Sequence, residues 1–248
     1  MQNADILKEN FDFAAGEMLL IDKPLTWTSF DVVKKVRGAV RIKKVGHAGT
    51  LDPLATGLLI VCTGKQTKQI DHYQGQEKEY TGEITLGSTT PSYDLETEPE
   101  NFLPTEHLTE QEILEAAKKF VGQIEQIPPV FSALKVDGKR AYKQARAGKE
   151  VKMKVRTVQI RQFEVTDIQL PKVSFKVVCS KGTYIRSLAH DFGASLAVGG
   201  HLSALRRTAI GEFRVEDAWD LHELIAQIRK VNDTSNSAQN ETGKRLNE

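Results

Sequence analysis

The chain has 248 residues, 40% hydrophobic and 27% charged, a globular composition that excludes a wholly disordered or fibrous protein and can bury about three-quarters of its unfolded surface. Its 34 Lys and Arg against 33 Asp and Glu give a formal net charge of +1, a total that argues mildly against a nucleic-acid partner. No apolar run approaches the ~18 residues that span a bilayer, and the N-terminus MQNADILKENFDF has acids where a secretory signal has cations, so a cytoplasmic protein without membrane contact is expected. Cys62 and Cys179 lie inside apolar runs and read as buried thiols, which excludes a disulfide scaffold and a cysteine zinc site.

Residues 1–15 are polar and weakly patterned and read as an N-terminal extension. The apolar run Met18 to Ile21 is a buried strand candidate, followed by a turn at Asp22-Lys23-Pro24. From Ser29, apolar residues Val32, Val33, Val36, Ala39 and Val40 recur at helical spacing, leaving Lys34, Lys35, Arg37 and Arg41 for other faces. The glycine-rich stretch Val45 to Gly57 fits no regular element and predicts a structured loop, ahead of a buried strand at Leu58 to Cys62. Tyr80 to Leu86 reads as a strand and the acidic stretch through Pro99 and Pro104 as surface loop. Thr109 with Glu112 is a capping box for a helix ending near Gly122. A strand over Val130 to Val136, an Asp137-Gly138 turn and a short basic helix at Arg140 to Ala147 come next. Two long β-rich runs follow, Val151 to Leu170 and Val173 to Cys179. A helix carries Ile185, Leu188, Ala189, Phe192 and Leu196 on one face and is closed by two glycines. Short strands between Leu202 and Phe213 and a helix from about Ala218 to Lys230 complete the elements. Strands and helices mix without βα alternation, so the expected class is α+β, with a mixed, mainly antiparallel sheet flanked by helices and loops. The expected organisation is one domain over 16–230 that includes a basic segment at about 130–154. A disordered tail over 231–248 follows, with no separate C-terminal domain.

Familiar site patterns fail. Gly64-Lys65 lacks the earlier glycine and the following Ser or Thr of a phosphate loop, no HExxH, GxSxG or GxGxxG occurs, and His190-Asp191 reads as ordinary helix surface more readily than as a metal site. Three features stand out. Asp52, between Leu51 and Pro53 in a glycine-hinged loop, is either a functional carboxylate or a turn former. Arg186 in the first turn of its helix opposes the helix dipole; it is either exposed or offset by a buried carboxylate. Charge is also segregated along the chain: nine cations and two acids from Lys23 to Lys68, eleven acids and one cation from Glu77 to Glu115, ten cations and two acids from Lys135 to Arg161. Such blocks suggest a basic face for phosphates and an acidic face turned away from it, so the net of +1 averages opposed blocks.

The motif GHAGTLDPLATGLL, preceded by Lys23-Pro24 and Thr28-Ser29, resembles the signature of the TruB family of tRNA pseudouridine synthases. Glu79-Tyr80-Thr81-Gly82, Pro128-Pro129, Phe131 to Lys135, Gly138 to Tyr142, Ala145 to Gly148, the run CSKGTYIRSLAHDFG from Cys179 and Leu205 to Thr208 match in order, over roughly residues 17–213. The resemblance implies a pseudouridine synthase fold, no cofactor or metal, and conversion of uridine 55 in the T arm of tRNA to pseudouridine by a monomer with no obligate protein partner. It makes Asp52 the catalytic aspartate, Tyr80 the tyrosine stacking on the target base and Arg186 the arginine pairing with the aspartate. Tyr184 and Leu205 align with residues lining the base pocket. His47 aligns with the histidine contacting the tRNA as the nucleotide is everted, and Lys23 with the lysine supporting the site. Lys135, Arg140 and Arg146 lie in the segment matching the family's mobile insertion, where cations bind phosphates without reading sequence. Many bacterial members continue into a PUA-type RNA-binding domain, whereas here a helix and a polar tail follow Phe213.

The residue types suit that chemistry. A carboxylate can attack C1′, attack the base or abstract a ribose proton, an arginine would keep it ionised when RNA excludes water, and an aromatic replaces stacking lost on flipping, worth ~1–3 kcal/mol. Other readings are a tRNA-folding chaperone acting on the T arm and a guide-RNA-dependent enzyme, for which partner-binding extensions are not evident. A glycosidase-like hydrolase is disfavoured by the lack of a second acid in the Asp52 loop.

Overall fold

The computed structural model describes residues 11–132, 134–136, 138–148 and 151–230. The expected disordered tail, the first ten residues of the N-terminal extension and Asp137 of the expected turn lie outside the described residues. In chain order the elements are β1 (Met18–Lys23), α1 (Ser29–Val40), β2 (Val45–Ala48), β3 (Ala55–Thr63), a 3-10 segment (Gly64–Gln69) leading into α2 (Ile70–Gly75), β4 (Lys78–Leu86) and α3 (Glu110–Lys118). Then follow β5 (Gly122–Gln126), β6 (Lys135–Val136), β7 (Lys139–Arg140), α4 (Ala141–Arg146), β8 (Arg156–Gln169), β9 (Lys172–Cys179), α5 (Ile185–Ser195), β10 (Gly200–Ile210), β11 (Phe213–Arg214), β12 (Trp219–Asp220) and α6 over residues 221–230. The chain divides into two compact units, Met1–Gln74 with Glu212–Glu248, and Gly75–Gly211.

In the first unit β3 pairs antiparallel with both β1 and β2, and β12 adds to β1 in parallel. Helix α1 covers this sheet because its apolar positions fall on one face: Val32, Val33, Val36 and Val40 pack with Leu19, Ile21, Leu59 and Val61 and with Leu221, Leu224, Ile225 and Ile228 of α6. Fully burying each such side chain is worth about 1.5–3 kcal/mol. A capping box starts the helix, with the Asp31 amide donating to Thr28 Oγ1 at 3.0 Å and the Thr28 amide donating to Asp31 at 3.0 Å. Phe11 and Phe13, from the stretch that reads as polar extension, pack against the same core.

In the second unit the order is β10-β4-β9-β8-β5, antiparallel throughout, and β6 and β7 form a separate two-stranded ladder. Helices α3 and α5 bury Ile113, Leu188 and Phe192 with Val158, Ile160, Val173 and Phe175 of the strands. Phe163 meets Phe120, Phe175 and Phe192 edge-on at centroid separations of 6.3, 5.8 and 5.4 Å, the geometry favoured by ring quadrupoles. Strand β10 carries two register shifts against β4, between Leu202 and Ala204 and between Arg207 and Ala209.

The expected fold class holds: the ladders described above are antiparallel except β1 with β12, and helices flank the strands. Several boundaries differ. The stretch from Val45 is not all loop, since residues 45–48 pair with β3 and leave only 49–54 irregular. On that strand Gly46 leaves room for Ile70, whose Cδ1 lies 2.7 Å from where a Cβ would be. Helix α3 stops at Lys118, short of the expected end near Gly122, and Phe120 joins the aromatic cluster. The expected strand from Val130 is reduced to Lys135–Val136, because the Phe131 carbonyl is taken by Arg186. What reads as several short strands after Leu202 is one strand, β10, broken in register by its two bulges and followed by β11.

Gly193 in α5 fixes how closely the helix approaches the start of β10. A Cβ there would collide with the Gly200 amide nitrogen and lie 2.5 Å from the Gly199 carbonyl oxygen, while the Gly193 carbonyl accepts from Val198 and Gly199. Overpacking against backbone has no side chain to yield. Gly193→Ala is therefore expected to lower unfolding stability by about 2–4 kcal/mol, measured by urea titration; an unchanged midpoint would contradict this close approach.

Candidate active site

The first unit supplies Lys23, His47 and Asp52. Asp52 sits between Leu51 and Pro53 in the irregular stretch between β2 and β3, and the backbone around it is held at each step. The Leu51 amide donates to Ser29 Oγ at 2.8 Å, and that hydroxyl donates to the Leu51 carbonyl at 3.3 Å. The Asp52 carbonyl accepts from the Ala55 amide at 3.1 Å, and the Pro53 carbonyl from the Thr26 amide at 2.9 Å. Lys23 is fully buried and its Nζ donates to the carbonyls of Trp27 at 2.6 Å, Pro24 at 3.0 Å and Pro53 at 3.4 Å. An ammonium has three donors, and here they join the turn after β1 to the Asp52 loop. Thr26 is held at φ +70, a conformation that costs a β-branched residue about 1–3 kcal/mol and persists because these bonds over-determine it. His47 lies on β2 opposite Val61.

The second unit supplies Tyr80, Tyr184, Arg186 and Leu205. Tyr80 is buried on β4, opposite Arg207 of β10 and Val177 of β9. Leu205 stands opposite Gly82, whose missing side chain brings the strands together: a Cβ there would lie 2.5 Å from the Ala204 carbonyl oxygen. Lys78, two residues before Tyr80, is buried and donates to the Gln76 carbonyl at 2.6 Å. Burial, reinforced by Arg207, brings its ammonium down to about 8. Tyr184 is the N-cap residue of α5. Its amide and carbonyl form a reciprocal pair with the Gln126 side chain at 2.9 and 3.0 Å, and the Arg156 guanidinium lies 5.3 Å from its ring centroid.

Arg186 is 3% exposed. It donates to the carbonyls of Ser92 at 3.1 Å and Phe131 at 3.0 Å, and its Nε lies 3.5 Å from Asp94 Oδ2. The cation at the unfavourable end of its helix is thus offset by a buried carboxylate, as one sequence alternative required. Asp94 itself was not singled out from the sequence: it lies among eleven acids in a stretch that reads as surface loop, and nothing local marks it as the buried one. Gln126 is a second residue that sequence reading passed over.

Of the three insertion cations assigned above to phosphate contacts, Lys135 and Arg140 are register partners in the β6–β7 ladder and Arg146 ends α4. The acidic block is not simply turned away from the cations. Glu79 and Glu83 pair across strands with Lys176 and Lys172 at 3.0 Å, and Glu77 pairs with Arg161 at 3.2 Å. Cys62 and Cys179 are buried thiols pushed up to about 11 by desolvation, which leaves them unreactive near neutral pH. Among the described residues no helix is long and apolar enough to cross a membrane, and no three His, Cys, Asp or Glu side chains gather as a metal site.

Comparison with known proteins places the chain in the class of the pseudouridine synthases. The sequence profile of the TruB family pseudouridylate synthase N-terminal domain matches residues 37–185, and that of the tRNA pseudouridylate synthase B C-terminal domain matches residues 186–242. A protein of Flavobacterium johnsoniae named tRNA pseudouridine synthase B is 54% identical over 85% of this chain and 95% of its own. A protein of the same name from Parabacteroides distasonis is 56% identical over 83% and 90%. Among solved structures, that of a Cbf5-Nop10-Gar1 complex aligns with a TM-score of 0.66 at 31% identity, covering 86% of this chain and 54% of that chain, so this chain spans about half the length of that one. The chain belongs to the TruB family of pseudouridylate synthases, and is an isomerase.

Two outcomes follow from the polar groups. Lys23→Met takes the ammonium from the Trp27 and Pro24 carbonyls, while the Pro53 carbonyl keeps the Thr26 amide, and is expected to cost about 2–4 kcal/mol of stability, read by thermal or urea unfolding. Burial pushes the Asp191 carboxyl on α5 up to about 6, so its contribution favours the fold below about pH 4 and is lost as pH rises through about 6. Asp191→Asn should therefore gain on the order of 1–2 kcal/mol over the parent at about pH 8 and little at about pH 4, compared by urea unfolding at both pH values.

Proposed function

We propose that this protein converts uridine 55 in the T arm of tRNA to pseudouridine, acting in the cytoplasm as a monomer. The observation that carries the reading is the density of matches to proteins named tRNA pseudouridine synthase B, at 54–56% identity over more than four-fifths of this chain. Asp52 is the catalytic carboxylate, Tyr80 stacks on the everted base, and Arg186 provides the charge that balances the carboxylate. Tyr184 and Leu205 line the base pocket, and His47 contacts the tRNA as the nucleotide leaves its stack.

In the reaction, the bond from C1′ of the ribose to N1 of uracil breaks, the base turns while still bound, and C5 bonds to C1′. The proton lost from C5 is balanced by the one gained at N1, so no group or electron leaves. A carboxylate assists by attacking C1′, by attacking the base or by abstracting a ribose proton. Fixing the backbone on both sides of Asp52 supports such a role, because a nucleophile held in place needs little reorganisation when the substrate arrives. Flipping costs the stacking of the target base, which an aromatic such as Tyr80 returns. Lys135, Arg140 and Arg146 hold phosphates and set no sequence preference.

The test uses tRNA transcripts with the parent chain and with Asp52→Asn. The parent is expected to form pseudouridine at position 55, mapped by reverse-transcription stops after carbodiimide treatment. The variant should form none while binding tRNA within about threefold of the parent, since the substitution is isosteric. Full turnover by Asp52→Asn would remove it from the reaction, and modification at another position would move the target.

A further inference from the structure

Arg186 and His190 are four residues apart on α5 and so share a face. Both reach the same three consecutive residues of the segment after β4. Arg186 bonds the Ser92 carbonyl at 3.1 Å and faces the Asp94 carboxylate at 3.5 Å. Between them, the Tyr93 ring lies on the His190 imidazole with centroids 3.9 Å apart and planes 14° from parallel. The segment is held from its other side too: the Leu202 amide donates to the Tyr93 carbonyl at 3.0 Å, and Ser92 Oγ donates to the Asp94 carbonyl at 3.0 Å. Tyr93 adopts φ +64, a left-handed conformation unusual for an aromatic residue, which lasts only where the surroundings enforce it.

His190 contributes through its ring face and not through a hydrogen bond. Its Nδ1 is buried without a hydrogen-bond partner among the described residues, and burial lowers its pKa, which keeps the imidazole neutral. A neutral ring stacked face to face fixes both the position and the tilt of Tyr93, and with it the residues on either side.

We propose that Tyr93 and His190 are positioning residues for the isomerisation: their stack clamps residues 92–94 onto α5, and the clamped segment in turn holds the Arg186 guanidinium in its reactive orientation. The proposal rests on the role given to Arg186 above. Loss of either ring leaves Asp94 in place in sequence but frees the segment to shift, and a guanidinium displaced by even part of an ångström serves a transition state poorly.

Single-turnover tritium release from tRNA labelled at uridine C5 tests this. His190→Ala and Tyr93→Asn, the latter chosen because asparagine tolerates the left-handed backbone, should each lower the rate about tenfold with tRNA affinity within about twofold of the parent. His190→Phe, which keeps a flat ring and discards the nitrogens, should recover the rate to within about threefold. The double variant should lose no more than the worse single one, since both remove one interaction. A His190→Ala rate equal to the parent's, a His190→Phe rate as low as His190→Ala, or additive losses in the double variant would each overturn the proposal. Arg186→Ala separates this from the reading it rests on: if that variant keeps the parent rate, the role of Arg186 fails, and if it is inert while His190→Ala is unimpaired, only the clamp fails. Should His190→Ala not fold, Tyr93→Asn carries the same test from the opposite ring.

Discussion

A guanidinium removed from water needs polar partners, and Arg186 draws them from distant parts of the chain. Among its partners are the backbone carbonyls of Ser92 and Phe131 and the Asp94 carboxylate. One of these segments follows β4 and the other follows β5, so a single side chain on α5 fixes two loops that have no regular structure of their own. Lys23 does the same in the other unit, where its ammonium gathers the carbonyls of Pro24, Trp27 and Pro53. In each unit a buried cation is matched largely by main-chain oxygen. Such partners cannot be lost by side-chain substitution, which leaves the cation itself as the sensitive position.

The legible parts of the chain were those decided by local chemistry. Helix α1 is set by the spacing of Val32, Val33, Val36 and Val40, and α3 by the reciprocal bonds of Thr109 and Glu112; both depend on neighbours within a few residues. The order of strands is different in kind, because Tyr80 is opposite Arg207 and Val177 through pairings about a hundred residues apart or more, and no periodicity encodes a partner. Strand and helix ends moved wherever a tertiary contact claimed a residue, as Phe120 was claimed by the aromatic cluster and Phe131 by Arg186. Within the candidate site, Arg186 could be noticed because it opposes its helix dipole, and Asp52 because it stands in a glycine-hinged loop. Asp94 and His190 carried no such mark: one is an acid among acids and the other a histidine on a helix, and only burial and geometry distinguish them.

Charge shows a related gap between sequence and space. Counted along the chain, the blocks from Glu77 to Glu115 and from Lys135 to Arg161 look like opposed faces. In the sheet of the second unit, members of the acidic block stand beside cations of neighbouring strands, and three ion pairs neutralise them locally. These pairs are partly exposed and add little to stability. Their effect is on the field: acids matched in this way repel an approaching polyanion less than their number suggests.

The two register shifts in β10 bear on how this chain can change over generations. Each adds one residue to β10 relative to β4, and the extra residue is absorbed locally, so that the side chains beyond it keep the faces of their partners on β4. Between the shifts, Ala204 to Arg207 keep an unbroken register with Glu83 to Tyr80. Removing the extra residue at either shift would return β10 to regular pairing there, with Leu205 and Arg207, or Ala209 and Ile210, still opposite their partners on β4 and on the same faces. The two shifts are therefore where this strand can change length without turning over the residues beyond them, and descendants whose β10 differs in length should differ at those points or in the loops past its ends.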